Sequence, residues 1–317
     1  MFWRENMGES SGISVCILAH NEELGITGVL ESLQNQTIKP EEILLCANGC
    51  TDNTIKVAES FKKGLCKVIV LKKASKAAAW NVLWKKSSGR YIAFMDGDII
   101  FPPFALDRLL LGMRTKDLAA IGGIGHAFLD GSDLLTRMIA IPPGPQQCLY
   151  GKLYLIDKKK LNGLMKKNSI NAMPEELIHE DLWLSMVIGR SGWAIEEKTP
   201  AYYRPWHWKE FPWIAARIIA AESQIKQMHA GGRLPQYVSE TRKERSQRYI
   251  QKIKRASAKE KIFMSSGYVL KQLMFIRGRM LVSQLGNQPL LGRERSEFSK
   301  RALDYKQVSR LWEKDQQ

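Results

Sequence analysis

The chain has 317 residues, of which 44% are hydrophobic and 25% charged, so it can form one large core or two smaller ones. This composition excludes a largely disordered or low-complexity protein. The formal net charge is +16, and residues 211–317 carry most of it, with 22 Lys and Arg against 9 Asp and Glu. A basic C-terminal region of this kind suits an anionic partner, either nucleic acid or a membrane surface.

Cysteine usage and apolar runs indicate where the protein works. The five cysteines form no even framework, and three of them lie in or beside apolar runs, so we expect reduced thiols. The N-terminal segment lacks an apolar stretch of signal-peptide length, and nowhere do 18 apolar residues run together. We therefore expect a cytoplasmic protein, with peripheral attachment to the cytosolic face of a membrane as a further option.

The first part of the chain alternates short apolar runs with helix-spaced segments. The runs, rich in β-branched residues, cover residues 13–19, 42–46, 67–71 and 91–95. Each is followed by polar residues and then by a segment with helical spacing of its apolar positions. This alternation predicts an α/β fold with a doubly wound, mostly parallel sheet. Trp80, Trp183 and Trp193 fall on apolar faces, which favours core packing over sugar stacking.

The rest of the chain divides into two parts. Up to about residue 210 the pattern predicts a helix from after Pro103 to about Arg114, a strand within 118–128, a strand over 151–157, a helix from Glu180, and a strand over 193–197. Beyond Phe211 it predicts helices over 211–229, 239–261 and 262–285, followed by a polar tail. We therefore expect an α/β catalytic domain over residues 12–210 and a basic helical region over residues 211–317.

In such sheets ligands bind beyond the carboxyl ends of the strands, and polar residues follow each predicted strand. No G-x-G-x-x-G or G-x-x-x-x-G-K-[ST] motif is present, which argues against dinucleotide-binding and P-loop proteins. Asp96-Gly97-Asp98 follows the fourth strand, and two carboxylates so spaced can bind Mg²⁺ or Mn²⁺. The alternative is an exposed turn, where Asp and Gly are common.

Five motifs lie in order at these strand ends. They are Ala19-His20-Asn21-Glu22-Glu23, Asn48-Gly49-Cys50-Thr51-Asp52-Asn53-Thr54, Lys76 with Asn81, Asp96-Gly97-Asp98, and Glu180-Asp181. As a set, they resemble the motifs of family 2 glycosyltransferases with the GT-A fold, over roughly residues 12–210. The resemblance implies a GT-A catalytic domain that transfers a sugar from a nucleotide-diphosphate donor and uses Mn²⁺ or Mg²⁺.

The resemblance also implies a role for each matching residue. Nucleotide-sugar binding falls to residues of the first four motifs, namely Ala19, Asn21, Glu22, Asn48, Lys76, Asn81, Asp96 and Gly97. Asp98 would ligate the metal, with Asp96 contacting the metal or the ribose. Asp181 is favoured as the catalytic base and Glu180 as the residue that positions the acceptor or its loop, because adjacent helical side chains diverge by about 100°. The alternative is that both carboxylates only complement the helix dipole.

Two departures from the family pattern leave matters open. Ala47-Asn48 stands where the family commonly has an acidic pair that reads uracil, so the donor nucleotide is open. The frequent Gln/Arg-x-x-Arg-Trp motif is absent, which makes processive polysaccharide synthesis a less favoured function.

His207, between Trp206 and Trp208, is a candidate third metal ligand, since imidazole suits ions such as Mn²⁺. The alternative is a histidine that merely stacks on these rings.

The expected reaction is inverting transfer of the sugar to a hydroxyl acceptor, such as a lipid-linked or cell-envelope glycan intermediate. Two alternatives remain: a polyprenyl-phosphate sugar synthase, and a non-catalytic nucleotide-sugar-binding protein on the same scaffold. The basic C-terminal helices suit an anionic membrane surface or packing on the catalytic domain. Nucleic acid is the least favoured partner, because no nucleic-acid-reading motif is present.

Overall fold

A computed structural model describes residues 12–61, 65–140, 148–149, 151–232, 234, 247, 250–251, 253–285 and 303–314. Its centre is a seven-stranded sheet with the order β3-β2-β1-β4-β6-β5-β7. The strands are β1 (Ile13–Ala19), β2 (Glu42–Asn48), β3 (Lys67–Leu71), β4 (Tyr91–Asp96), β5 (Ala120–Ala127), β6 (Leu153–Asp157) and β7 (Trp193–Tyr203). The mostly parallel α/β sheet predicted from the sequence is confirmed.

Helices cover both faces of this sheet. In chain order they are α1 (Ile26–Gln34), α2 (Thr54–Ser60), α3 (Lys76–Lys86), α4 (Ala105–Thr115), α5 (Leu134–Ala140), α6 (Lys158–Lys167), α7 (Glu180–Ile188), α8 (Phe211–Ala230), α9 (Ala258–Leu285) and α10 (Tyr305–Lys314). The sequence pattern did not indicate α5 or α6. The helix predicted over residues 239–261 is interrupted at residues 256–257 and α9 begins at Ala258, while residues 239–246, 248–249 and 252 lie outside the described residues. Within them, no helix is long and apolar enough to cross a membrane.

The direction of β6 determines what surrounds the strand ends. β1, β2, β3 and β4 are parallel to their neighbours in this half of the sheet, whereas β6 is antiparallel to both β4 and β5. Leu153, the first residue of β6, pairs with Met95 near the end of β4. The residues that precede β6 therefore lie beside the carboxyl end of β4, at the edge where ligands bind in such sheets.

Successive side chains of each strand point to opposite faces of the sheet, and they pack into two hydrophobic cores, one on each face. From β1, Cys16 and Leu18 point to one core, and Val15 and Ile17 point to the other. Trp80 is fully buried on the first face, where it stacks on Phe94 and donates a hydrogen bond to Tyr154 Oη at 3.1 Å. Trp183 and Trp193 are also buried, so the prediction of core packing is confirmed for all three tryptophans.

The C-terminal helices pack on the sheet-containing part of the molecule. Ile225 and Met228 of α8 belong to the same buried cluster as Trp80. The predicted polar tail is wrong for residues 303–314, because α10 buries Val308 and Trp312 against Tyr202 of β7. Tyr305, Val308, Leu311 and Trp312 recur at helical spacing, so the sequence did carry a signal for this helix. The domain boundary near residue 210 stays a prediction.

Candidate active site

The loops after β1 and β2 bond to each other across the sheet edge. The Thr51 N–H donates to Asn21 Oδ1 at 2.8 Å, and the Asn53 N–H donates to Glu23 Oε2 at 2.9 Å. His20 Nδ1 lies 2.7 Å from the backbone oxygen of Asn48. Asn21 has φ 54°, a left-handed conformation that Asn adopts more readily than most residues. These bonds fix both loops in one arrangement at the carboxyl ends of adjacent strands.

Gly97 brings the loop after β4 against the loop after β1. A Cβ at Gly97 would lie 3.1 Å from Ala19 Cβ and 3.2 Å from Glu22 Cγ. The Gly97 N–H donates to the backbone oxygen of Leu18 at 3.0 Å. A side chain at this position would make unusually tight contacts, so Ala19 or Glu22 would have to shift by a few tenths of an ångström. The structure thus brings Ala19, Glu22 and Gly97 into contact, as a shared binding role requires.

Asn48 orients the start of α3. Its Oδ1 accepts a hydrogen bond from the Ser75 N–H at 2.7 Å, and Ser75 Oγ in turn accepts from the Ala78 N–H at 3.1 Å, which caps the helix. Ser75 Oγ also donates to the backbone oxygen of Glu175 at 2.7 Å. The side chain of Asn48 therefore holds the residue that precedes Lys76. Whether Asn48 also contacts a nucleobase stays a prediction.

Lys76 joins the two acidic motifs. Its Nζ lies 2.7 Å from Asp96 Oδ1 at the end of β4 and 2.6 Å from Glu180 Oε1 at the start of α7. The Glu180 side chain is 5% exposed, whereas about a third of the Lys76 side chain, 32%, remains accessible. The ammonium thus neutralises a buried carboxylate while part of the lysine still faces the open edge of the site.

The electrostatics of this cluster follow from burial and close charges. Burial raises the pKa of Glu180, and the carboxylates of Asp181 and Asp96 raise it further, while Lys76 opposes both. Burial lowers the pKa of Lys76, but the attraction of Asp96 and Glu180 outweighs it and raises that pKa above its ordinary value. Lys76 is therefore positively charged at neutral pH, and its attraction favours the ionised form of Glu180 against the effect of burial.

Lys152 is a second ammonium at the acidic pair. It precedes β6, and its Nζ lies 3.3 Å from Asp96 Oδ2 and 3.7 Å from Asp98 Oδ1. Both carboxylate oxygens of Asp98 are buried. Buried carboxylates gathered at one strand end are hard oxygen ligands that suit Mg²⁺ or Mn²⁺. Asp96 and Asp98 therefore fit a divalent cation, provided that Lys152 moves from the position between them.

Asp181 packs against Gly151, the residue before Lys152. The Gly151 N–H donates to Asp181 Oδ2 at 3.1 Å, and the Leu182 N–H donates to Asp181 Oδ1 at 2.8 Å. A Cβ at Gly151 would lie 3.2 Å from Asp181 Oδ2 and 3.1 Å from Glu180 Oε1. Both carboxylates of the α7 motif therefore pack against the backbone of Gly151, and each oxygen of Asp181 keeps a lone pair for a further bond.

Helix α8 supports the segment that leads into α7. Gln224 Oε1 accepts from the Ile178 N–H at 3.0 Å, and Gln224 Nε2 donates to the backbone oxygen of Glu176 at 2.9 Å. Burial lowers the pKa of His179, the residue before Glu180, so its imidazole is neutral at pH 7. The basic C-terminal region thus contributes directly to the position of the Glu180-Asp181 motif.

Asn81 and His207 have well-defined partners elsewhere. Asn81 Nδ2 donates to the backbone oxygen of Met173 at 2.8 Å, and Asn81 Oδ1 accepts from the Met173 N–H at 3.0 Å. His207 Nε2 lies 3.3 Å from Asp133 Oδ2. Within the described ranges, no three His, Cys, Asp or Glu side chains form a group that could hold a metal, so His207 is not gathered with Asp96 and Asp98. Its role as a ligand stays a prediction.

The contacts of Lys152, Gly151 and Gln224 with the candidate site were not predicted from the sequence. Lys152 and Gly151 lie beside the acidic motifs because β6 runs antiparallel, which no local pattern specifies. Gln224 reaches the site through the packing of α8. The signal that was available is the dipeptide Gly-Lys directly before an apolar run, which is too common to identify a site.

The chain matches a known protein family. A family model described as glycosyl transferase family 2 matches residues 14–173, slightly more than half of the chain. The chain belongs to glycosyl transferase family 2. This family 2 glycosyltransferase is 27% identical over 181 residues to the UDP-Glc:alpha-D-GlcNAc-diphosphoundecaprenol beta-1,3-glucosyltransferase WfgD of Escherichia coli, a match that covers 55% of this chain and 69% of WfgD.

Other similar proteins share less of their length or less sequence. The glycosyltransferase is 31% identical over 148 residues to the probable glycosyltransferase YdaM of Bacillus subtilis (strain 168), and the match covers 44% of this chain and 35% of YdaM. A mannosyltransferase from Pyrobaculum calidifontis, PcManGT, solved with GDP-Man and Mn²⁺, superposes with a TM-score of 0.59 at 12% identity, covering 88% of this chain and 89% of that one. The predicted GT-A fold is confirmed.

Proposed function

We propose that this glycosyltransferase moves a sugar from a nucleoside-diphosphate donor to a hydroxyl of a lipid-linked or cell-envelope glycan acceptor, with inversion at the anomeric carbon. One observation carries the proposal. Lys76 draws the Asp96 end of β4 and the Glu180 start of α7 together, at distances of 2.7 and 2.6 Å. Carboxylates for the donor and a carboxylate for the acceptor thereby share one edge of the sheet.

The donor side is assigned to the loops after β1, β2 and β4. Asn21, Glu22 and Gly97 lie in contacting loops, which offers a rigid edge for a base and a ribose. Asp96 and Asp98 would hold Mn²⁺ or Mg²⁺, which would neutralise the diphosphate as it leaves. Lys76 and Lys152 are cationic side chains next to Asp96, and they would lie near the leaving diphosphate.

Asp181 is the proposed catalytic base. Two backbone N–H groups orient its carboxylate at 3.1 and 2.8 Å, and they leave lone pairs for the acceptor hydroxyl. The base takes the hydroxyl proton as the oxygen attacks the anomeric carbon and the bond to the diphosphate breaks. Glu180 is bound to Lys76 and more deeply buried, which suits a positioning role. WfgD, named for a diphosphoundecaprenol-linked acceptor, supports an acceptor of the lipid-linked class.

The first test identifies the donor. Thermal unfolding is measured with UDP-, GDP-, CMP- and dTDP-sugars, each with and without Mn²⁺, since a ligand that binds the folded state raises the Tm by mass action. We expect one nucleotide class to raise the Tm, and to do so more strongly with Mn²⁺. The Mn²⁺-dependent part should be lost in Asp98→Asn and kept in Asp107→Asn, which removes the same charge from an exposed position of α4.

The second test concerns catalysis. With the donor identified, Asp181→Asn should lower kcat by about 10² to 10⁴-fold, with the donor KM little changed. A phosphate acceptor needs little help from a base, so near-normal kcat in this variant would indicate a polyprenyl-phosphate sugar synthase instead. Donor binding without hydrolysis or transfer to any acceptor would indicate a non-catalytic binding protein.

A further inference from the structure

Helix α9 has one face that packs on the protein. Met264, Gly267, Met274 and Gly278 are buried on this inner face. A Cβ at Gly267 would lie 2.5 Å from the backbone oxygen of Met138 in α5, and a Cβ at Gly278 would lie 2.9 Å from Ala215 Cβ in α8. These close approaches fix the rotation of α9 about its axis. The opposite face of the helix is therefore the one that points away from the protein.

That outer face carries a row of large apolar side chains, which we call the outer stripe. Its members and their exposed fractions are Ile262 (73%), Val269 (57%), Leu273 (58%), Ile276 (45%) and Met280 (57%). The spacings of seven, four, three and four residues place them on one side of the helix, over about 27 Å of its length. Single exposed apolar residues need no explanation, but Val269, Leu273, Ile276 and Met280 follow one another at steps of four, three and four residues and form one row. Ile262 extends the row beyond the exposed residues Ser265 and Ser266.

Not every large apolar residue of α9 belongs to the outer stripe. Met274 is buried, and Phe263, Leu270 and Leu281 are half-buried. Only the packing of α9 on α5 and α8 distinguishes these residues from the outer stripe. An interaction surface on α9 therefore requires the tertiary structure for its definition.

The charges around the outer stripe have one sign. Residues 261–285 contain four Lys and Arg and no Asp or Glu. Lys261, Arg277 and Arg279 are exposed. On a helical projection, Arg277 lies to one side of the outer stripe, and Lys261 and Arg279 lie to the other, each displaced by about 70° to 90°. An apolar row bordered on both sides by cations fits a bilayer surface with anionic lipid headgroups.

A second copy of the chain fits the outer stripe less well. Pairing two copies through α9 would bring Arg277 and Arg279 of one copy near the same cations of the other. The formal charge of +16 per chain adds long-range repulsion. Residues 261–285 contain no Asp or Glu, so no carboxylate in this segment would offset the repulsion.

We propose that the outer stripe of α9 lies on an anionic membrane surface, with its apolar side chains in the headgroup boundary and its flanking arginines and lysine on lipid phosphates. The inference rests on the proposed function in one respect, since a lipid-linked acceptor would be presented at that surface. α8, on which α9 packs, holds the segment before Glu180 through Gln224, so membrane contact and the acceptor side of the site share one rigid support.

The test is sedimentation of the full chain with vesicles, in the absence of donor and acceptor. Vesicles of phosphatidylcholine are compared with vesicles in which part of the lipid is phosphatidylglycerol. The variant Leu273→Ser/Ile276→Ser should lose about tenfold or more in partitioning onto the anionic vesicles. Arg277→Gln/Arg279→Gln should also bind less, and its remaining binding should depend less on salt. Leu111→Ser, at an exposed leucine of α4 (43% accessible), is the matched control and should bind as the wild type.

Each other outcome contradicts the proposal. Equal partitioning of wild type and Leu273→Ser/Ile276→Ser would show that the outer stripe does not touch lipid. A wild-type dimer in light scattering that this variant converts to monomer would assign the outer stripe to a second copy. Donor hydrolysis without vesicles, measured on the same variants, separates the two claims, because loss of membrane binding with normal hydrolysis leaves the proposed function intact.

Discussion

The Nζ atom of Lys76 lies 2.6 Å from Glu180 Oε1, and this contact joins the first turn of α3 to the first turn of α7. The two helices come from parts of the chain more than 90 residues apart. Glu180 is buried, so its charge is tolerated because an ammonium accompanies it. The pair therefore has a structural role, and it also sets the distance between the proposed donor side and the proposed acceptor side of the site.

Lys76→Met should leave Glu180 buried without its cation and lower the free energy of unfolding by about 2 to 3 kcal/mol at pH 7. Urea unfolding followed by circular dichroism measures this change. The double variant Lys76→Met/Glu180→Gln should recover part of the loss, because the uncompensated charge is gone. Lys73→Met, at an exposed position just before α3, is the control. Equal stability of the Lys76 and Lys73 variants would contradict the interpretation.

Lys152→Met should raise the affinity for Mn²⁺ by about tenfold, because an ammonium within 4 Å of two carboxylates opposes a second cation there. The free Mn²⁺ signal in electron paramagnetic resonance measures this affinity without donor or acceptor. Lys158→Met in α6 is the control: it removes the same positive charge but should leave the Mn²⁺ affinity as in the wild type. If Lys152→Met binds Mn²⁺ no better than the wild type, Lys152 does not compete with the metal.

Gly151→Ala should lower kcat by about tenfold or more while the fold is kept, because the new Cβ would press on Glu180 and Asp181 at 3.1 and 3.2 Å. Gly163→Ala in α6 is the matched control, since nothing lies within 4 Å of its Cβ position. We expect that control to keep its activity and to gain about 0.5 to 1 kcal/mol of stability. Normal kcat in Gly151→Ala would show that the two carboxylates can move without consequence.

Asp157→Asn should destabilise the protein in a pH-dependent way. Burial raises the pKa of Asp157, but hydrogen bonds from Arg90 at 3.1 and 2.6 Å and from the Lys160 N–H outweigh it, so the pKa lies below its ordinary value. A lowered pKa in the folded state adds stability above the unfolded pKa and loses it as the pH falls through the folded pKa.

The expected difference between wild type and Asp157→Asn is about 2 kcal/mol above roughly pH 4, shrinking below that pH. Urea unfolding at several pH values provides the measurement. Asp117→Asn is a control, because Asp117 pairs with Lys160 at a 93% exposed position and such pairs contribute little. A difference that grows as the pH falls would reverse the assigned sign.

Much of the fold was predictable because its signals are local. The apolar runs that became β1, β2, β3 and β4 alternate with helix-spaced segments, and period alone separates the two classes. Asp96 was identified because it ends an apolar run, and Glu180 because it belongs to the ordered motif set that resembles family 2 glycosyltransferases. α5 was not predicted, because it has only seven residues, and α10 was missed although Tyr305, Val308, Leu311 and Trp312 recur at helical spacing.

The sequence alone determined a mostly parallel α/β sheet with polar residues at the strand ends. Both the hydrophobic periodicity and the polar residues that follow each apolar run are visible in short stretches of consecutive residues. The tertiary structure alone decided that Lys76 bridges Asp96 and Glu180, that an antiparallel β6 brings Lys152 to the acidic pair, and which face of α9 points outward. These relationships join residues tens of positions apart. They depend on strand order and helix rotation, which packing fixes and no local pattern encodes.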